Sequence, residues 1–342
     1  MPNVLISSYL EPRHVEAIQA TDDRVRVIYR PDLLPSPRYV ADHVGTPLER
    51  TPEQHEEWSA LLRDAEVMFD FDYVDPTSLL REGKGVRWVQ ASSAGIGRMV
   101  ERFELHRSDA TFTTAAGVHA RPLAEFVIWG MLAFAKGYPQ ARKQQRERRW
   151  ERFVGAEIHG STLAVIGLGS IGREVARQAR ALGARAVGTK RNVEGVRPED
   201  VGVDELRPWT ETKELLAEAD YVCLVAPHTA ETEGMFDDAM FAAMKPGSVL
   251  INIGRGALVD DDAMRRALDD GPLAGAVLDV APIEPLPSDH HLWDREDVIV
   301  FPHSASTSVR ENERLTDLFV RNLRAYLDGG PMQNVYRHDR LY

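Results

Sequence analysis

Short runs of apolar and β-branched residues alternate along this chain with longer stretches whose apolar positions recur at helical spacing, the pattern of parallel strands covered by helices. Four runs come first, at residues 4–7, 25–29, 67–71 and 88–91, separated by polar, helical or Pro-rich stretches that include Pro31 and Pro37. After Thr114 the pattern becomes one long helical run over 121–149, with Leu123, Phe126, Val127, Trp129, Met131, Leu132 and Phe134 covering more than one face. A helix apolar nearly all round predicts burial between domains or against another subunit. From Thr162 a second series begins: a strand, a glycine turn, a helix to Gly183, a strand to Gly188, then runs at 221–226, 249–253, 276–280 and 298–301. These runs are almost continuously apolar, as expected where both faces of a sheet are covered. A last helix, about 309–328, is expected to return to the first domain. The prediction is an α/β protein of two domains, each with a parallel sheet.

Composition narrows the function classes. The 342 residues are 43% hydrophobic and carry a formal net charge of −12, with acids spread along the chain. That balance disfavours nucleic acid and anionic membranes as partners. The basic stretch Arg142 to Arg152 contains two acids and reads as a solvated helix face or an interface. The single cysteine, Cys223, lies in the apolar run YVCLVAP and reads as a buried thiol. The amino terminus lacks the basic and apolar regions of a signal peptide, and no run is long enough to span a bilayer, so a cytoplasmic protein is expected.

The most specific motif follows the strand that begins at Thr162. Gly167, Leu168, Gly169, Ser170, Ile171 and Gly172 give G-x-G-x-x-G spacing directly before a helix, the dinucleotide-binding start of a Rossmann unit. The first glycine permits a tight turn, the second lets the backbone approach a pyrophosphate, and the third allows close packing of helix on strand. About 20 residues on, where an acid usually binds the ribose 2′-hydroxyl of NAD, stand Thr189, Lys190 and Arg191. An ammonium and a guanidinium would pair with a 2′-phosphate, so NADPH is the expected cofactor, with NADH possible.

Three later segments each set a polar residue at the end of a strand: INIGRGALVD with Arg255, LDVAPIEPLP with Glu284, and VIVFPHSAS with His303. Ligands of open α/β sheets bind beyond the carboxyl ends of the strands, so the three can converge over a nicotinamide. Reducing a 2-oxo acid needs hydride, a proton for the developing alkoxide and a cation for the carboxylate. His303 can give the proton, Arg255 can hold the acid with its planar fork, and Glu284 can orient the ring.

With these residues in place the chain resembles the D-isomer-specific 2-hydroxyacid dehydrogenases, in particular glyoxylate and hydroxypyruvate reductases. The likeness is firmest from Gly117 to Ala305, through GVHARPLAEF, the glycine loop, NIGRG, Asp279 in LDV, PIEP and PHSA. It implies two Rossmann-like domains with an active-site cleft between them: residues 1–117 with 305–342 binding substrate, and 118–304 binding the dinucleotide. It implies Arg255, Glu284 and His303 as the catalytic set. Asp279 is then expected near the nicotinamide carboxamide, with Ala226, Pro227, Thr232, Ile253, Gly254, Arg255, His303 and Ala305 also at the cofactor. The loop SSAGIG would receive the substrate carboxylate on the backbone N–H groups of Ala94, Gly95 and Ile96, together with Arg255 and His303. The lack of an acid at Lys190 departs from the commoner NAD pattern.

His119, His228, His290 and His291 are read as structural or peripheral, and no clustered spacing of metal ligands is present, so no metal is expected. The apolar helical run makes a homodimer the expected assembly. The expected activity is transfer of hydride between NADPH and C2 of a small 2-oxo acid. The alternatives are a catalytically weak dinucleotide-sensing scaffold, or a dehydrogenase specific for phosphoglycerate or hydroxypyruvate.

Overall fold

The computed structural model describes residues 1–338. The chain divides into two compact units, one built from Met1–His119 with the chain from Thr307 onward, the other from Ala120–Ser306. The last four residues of the substrate-domain expectation, 339–342, lie outside the described residues.

In the first unit, β1 (Asn3–Ile6), β2 (Arg26–Tyr29), β3 (Val67–Phe69), β4 (Trp88–Gln90) and β5 (Thr111–Thr113) form one sheet in the order β2-β1-β3-β4-β5. Every pair is parallel. Alternate side chains feed two cores, because successive residues of a strand point to opposite faces. Val4, Ile6, Val67, Phe69 and Trp88 meet Leu315, Leu318, Phe319 and Leu323 of the helix Glu311–Leu327. Leu5, Met68 and Val89 meet Trp58 and Leu62 of the helix Pro52–Asp64. Each such buried side chain is worth about 1.5–3 kcal/mol of transfer free energy.

The second unit carries β6 (Thr162–Ile166), β7 (Arg185–Lys190), β8 (Glu205–Pro208), β9 (Tyr221–Leu224), β10 (Ser248–Asn252), β11 (Leu273–Leu278) and β12 (Val298–Val300). Their order is β12-β11-β10-β9-β6-β7-β8, again parallel throughout. The sheet turns both ways from β6, so β6 and β9 enclose its topological switch point. That is where doubly wound sheets take their ligands.

The α/β reading with two parallel sheets stands. Two strands went unread, β5 and β8, and both are sheet edges. The helical run over 121–149 is two helices, Ala120–Ala135 and Tyr138–Arg146. Gly137 in the left-handed region (φ 65°) and Pro139 at the start of the second break it. The first of the two lays Leu123, Phe126, Val127 and Met131 against Val165, Ile251 and Val277 of its own sheet. Much of its apolar surface is thus covered within the unit, leaving Trp129 and Leu132 partly exposed. The basic stretch behaves as a solvated face, with Lys143 3.0 Å from Glu296 and Arg146 on the same carboxylate. Cys223 is buried, and burial pushes its thiol up. Among the described residues, no helix is long and apolar enough to cross a membrane.

Candidate active site

At the carboxyl end of β6 the chain turns through Gly167, Leu168 and Gly169 into the helix Ser170–Ala181. Gly167 has φ 111°, and a Cβ on it would stand 2.9 Å from the Ala226 amide nitrogen beyond β9. A Cβ on Gly172 would stand 2.1 Å from the Gly167 carbonyl oxygen, so only glycine lets this helix start close on its own turn. At Gly169 no described neighbour lies within 4 Å of a Cβ. The packing of the protein therefore does not require glycine there. The space that a side chain at 169 would fill is open.

Around this turn, Thr232 Oγ1 donates to the Pro227 carbonyl at 2.8 Å and accepts the Thr229 amide at 2.8 Å, folding the segment after β9. β7 extends through Lys190, two residues past the expected strand end. Thr189 is buried, Lys190 is half-buried and Arg191 is exposed in an ion pair with Glu231.

The other cluster lies at the carboxyl ends of β10, β11 and β12, three adjacent strands. Asn252, the last residue of β10, accepts the Gly254 amide on Oδ1 (3.0 Å) and donates from Nδ2 to the Arg255 carbonyl (3.1 Å). This closes the turn through Ile253 and Gly254 that presents Arg255, whose exposed guanidinium spends one N–H on the Gly254 carbonyl (2.6 Å). A Cβ on Gly256 would stand 1.9 Å from the Ala281 carbonyl oxygen, so glycine brings the Arg255 turn against the segment after β11. In that segment the Ala281 amide donates to Glu284 Oε1 (3.0 Å), and Glu284 Oε2 lies 2.7 Å from His303 Nδ1.

Asp279 anchors the His303 segment. Its carbonyl accepts the His303 amide (2.9 Å), and its Oδ1 accepts the amides of Ser304 and Ala305, each at 2.9 Å. Burial raises the Asp279 carboxyl above its usual value, against the lowering pull of the Ala305 amide and of the His303 charge. His303 itself sits in the left-handed region, φ 53°. The second unit thus gathers Arg255, Asp279, Glu284, His303 and Ala305 around one end of its sheet.

Loop SSAGIG lies in the first unit, after β4. Its Gly95 amide already donates to Ser93 Oγ at 3.2 Å, and Ile96 is buried with Ala94 half-buried and Gly95 exposed. Ser92 is tied in from its amide to Asp70 Oδ1 at 3.2 Å. His119 is engaged with Glu311 at 2.9 Å. Two positioning residues escaped the sequence reading. Asn252 was visible as the polar residue that closes the apolar run VLIN, whereas Asp70 sits among other acids in FDFDYVD and gave no separate signal.

Residues 128–305 match the model of the D-isomer specific 2-hydroxyacid dehydrogenase family, NAD binding domain. A (S)-sulfolactate dehydrogenase of Chromohalobacter salexigens is 31% identical over 291 residues, covering 78% of this chain and 93% of that protein. A glyoxylate reductase of Korarchaeum cryptofilum is 33% identical over 223 residues, covering 64% of this chain and 66% of that protein. Among solved structures, a D-isomer specific 2-hydroxyacid dehydrogenase from Xanthobacter autotrophicus in complex with NADPH and MES superposes with a TM-score of 0.77 at 25% identity. That comparison covers 100% of this chain and 99% of the other.

Proposed function

The chain belongs to the D-isomer specific 2-hydroxyacid dehydrogenase family, and from that premise we propose that it reduces a small 2-oxo acid at C2 with NADPH as the preferred cofactor. When bound, the nicotinamide supplies the hydride. His303 supplies the proton. The observation that carries this reading is the 2.7 Å contact from Glu284 Oε2 to His303 Nδ1. A carboxylate can only accept, so Nδ1 holds a hydrogen and Nε2 is the atom left to pass a proton to the developing alkoxide. Arg255 holds the substrate carboxylate and polarises the carbonyl, with four N–H groups left beyond the one given to Gly254. We read the first unit as the substrate-binding domain and the second as the dinucleotide domain.

The glycine turn fits a pyrophosphate: Gly167 and Gly172 are demanded by packing, and Gly169 leaves its outer side open for a close anion. Ala226, Pro227, Thr232, Ile253, Gly254, Asp279 and Ala305 stand at neighbouring strand ends and complete the cofactor set. The preference for NADPH rests on Lys190 and Arg191. In the structure Arg191 pairs with Glu231, but both side chains are mostly exposed, 63% and 58%. An exposed pair is worth about 0–1 kcal/mol, so a 2′-phosphate can take over the guanidinium at small cost. The NADPH bound to the Xanthobacter autotrophicus protein supports this reading. Changing Lys190 and Arg191 to Ser is expected to raise the KM for NADPH about tenfold or more, with the KM for NADH little changed. Equal effects on both would remove the assignment.

Initial rates with NADH and NADPH against glyoxylate, hydroxypyruvate, pyruvate and phenylpyruvate test the activity directly. Turnover of at least one acid, faster with NADPH at limiting cofactor, is the expected result. Cofactor binding without turnover of any acid would favour the dinucleotide-sensing scaffold instead. We also propose a homodimer, joined where Trp129 and Leu132 remain exposed and where Trp150 and Val154 stand almost fully in solvent. Sedimentation should give twice the chain mass; a monomer at micromolar concentration would exclude it.

A further inference from the structure

Outside the residues used above, one cluster of side chains combines metal-binding chemistry with convergent geometry. Asp261 opens the helix Asp261–Asp269, next to Asp260, whose side chain accepts the Ala263 amide and caps that helix. His290 and His291 stand on the segment that follows Glu284, where the His290 amide donates to the Pro287 carbonyl at 3.1 Å. The Nε2 atoms of both imidazoles meet the same oxygen, Asp261 Oδ2, at 3.2 Å from His290 and 3.0 Å from His291. All three ligand atoms lie within 4.8 Å of one another.

We propose that Asp261, His290 and His291 form a binding site for a divalent transition-metal ion of the Zn²⁺ type, with the fourth position open to water. Metal–ligand bonds of about 2.0–2.2 Å in a tetrahedral site separate adjacent ligand atoms by about 3.3 Å. The two nitrogen–oxygen distances therefore already match tetrahedral edges to a few tenths of an ångström. Two imidazoles and one carboxylate are the donor set suited to Zn²⁺ rather than to Mg²⁺ or Ca²⁺, which take oxygen ligands.

Hydrogen bonding inside the cluster does not account for all of its polar atoms. Asp261 Oδ1 and His291 Nδ1 are buried without a partner. Asp261 Oδ1 is the second oxygen of the proposed ligand carboxylate and can share the ion, whereas His291 Nδ1 lies across its ring from the site and is not satisfied by a metal on Nε2. Three consecutive acids, Asp260, Asp261 and Asp262, add negative potential for a cation. Binding has an identifiable cost. A metal on His290 Nε2 leaves the ring proton on Nδ1, which forfeits the long 3.4 Å contact accepted there from the Leu292 amide.

The site escapes a spacing search because its members are 30 positions apart for His291 and Asp261, and the pair of adjacent histidines alone matches no ligand motif. Its location gives it a consequence. The ion would tie the segment bearing Glu284 to the helix that follows the Arg255 turn, two elements already in contact at Gly256 and Ala281.

The test uses the full-length chain without a histidine tag, freed of metal by chelator and titrated with Zn²⁺ in a calorimeter. One saturable site per chain is expected, weakened at least about tenfold in His291→Asn and in Asp261→Asn. At a hundredfold excess over the dissociation constant, Zn²⁺ should raise the melting midpoint by about 4–7 °C, and Mg²⁺ should not. Because a variant could misfold, Co²⁺ added to the unaltered chain gives a second measurement: intense visible absorption is expected from a four-coordinate site with nitrogen ligands. Absence of saturable binding, affinity unchanged in both variants, or the weak spectrum of octahedral Co²⁺ would each overturn the proposal. None of these readouts depends on hydride transfer.

Discussion

Replacing His303 with alanine is expected to lower the turnover number for reduction by a factor on the order of 10²–10⁴, the usual contribution of a positioned general acid. Affinity for NADPH should be nearly kept, since the glycine turn and the Lys190–Arg191 pair are untouched. The geometry makes the expectation specific. His303 is oriented twice, by its amide on the Asp279 carbonyl at 2.9 Å and by Glu284 at Nδ1. One control matters. With φ at 53°, residue 303 occupies a conformation that alanine tolerates less well than asparagine. His303→Asn keeps the backbone comfortable and removes the acid, so it should be as slow as His303→Ala. Stopped turnover in alanine with normal turnover in asparagine would mean that the backbone, not the proton, was lost. Normal turnover in both would remove His303 from the mechanism.

The parts of this arrangement that were legible in the sequence are those whose physics is local. A βα turn around Gly167 and Gly172 announces itself because two steric demands fall within six residues. Arg255, Glu284 and His303 could be found one by one, since each is a polar residue just beyond an apolar strand. The edge strands Thr111–Thr113 and Glu205–Pro208 were invisible for the converse reason. A strand paired on one side needs no apolar run, and TFT and ELRP carry none. The break at Gly137 was written in the sequence as glycine followed shortly by proline, but the apolar period continued across it and outweighed it. Asp261 with the two histidines required the third dimension, because no local rule relates a helix start to a segment 30 residues on.

Arg255→Gln is expected to lower kcat/KM for the 2-oxo acid by a factor on the order of 10²–10³, from the loss of two charge-assisted hydrogen bonds of about 1.5–3 kcal/mol each, partly replaced by the amide. The structural cost should be small. Arg255 is exposed, its turn is held from the backbone by Asn252, and substitutions at exposed positions usually stay within about 0.5 kcal/mol of stability. Melting should therefore be unchanged while activity falls, which separates a functional arginine from a structural one. Lysine divides the role further. Arg255→Lys retains the charge but loses the planar fork, so it should recover binding of the carboxylate only in part and leave kcat depressed if the guanidinium also polarises the carbonyl. A lysine variant with normal kcat and raised KM would confine Arg255 to holding the acid, because an interaction equal in ground and transition states affects KM alone. If lysine matched arginine in both constants, a positive charge alone would suffice at this position and the planar fork would have no part in the reaction.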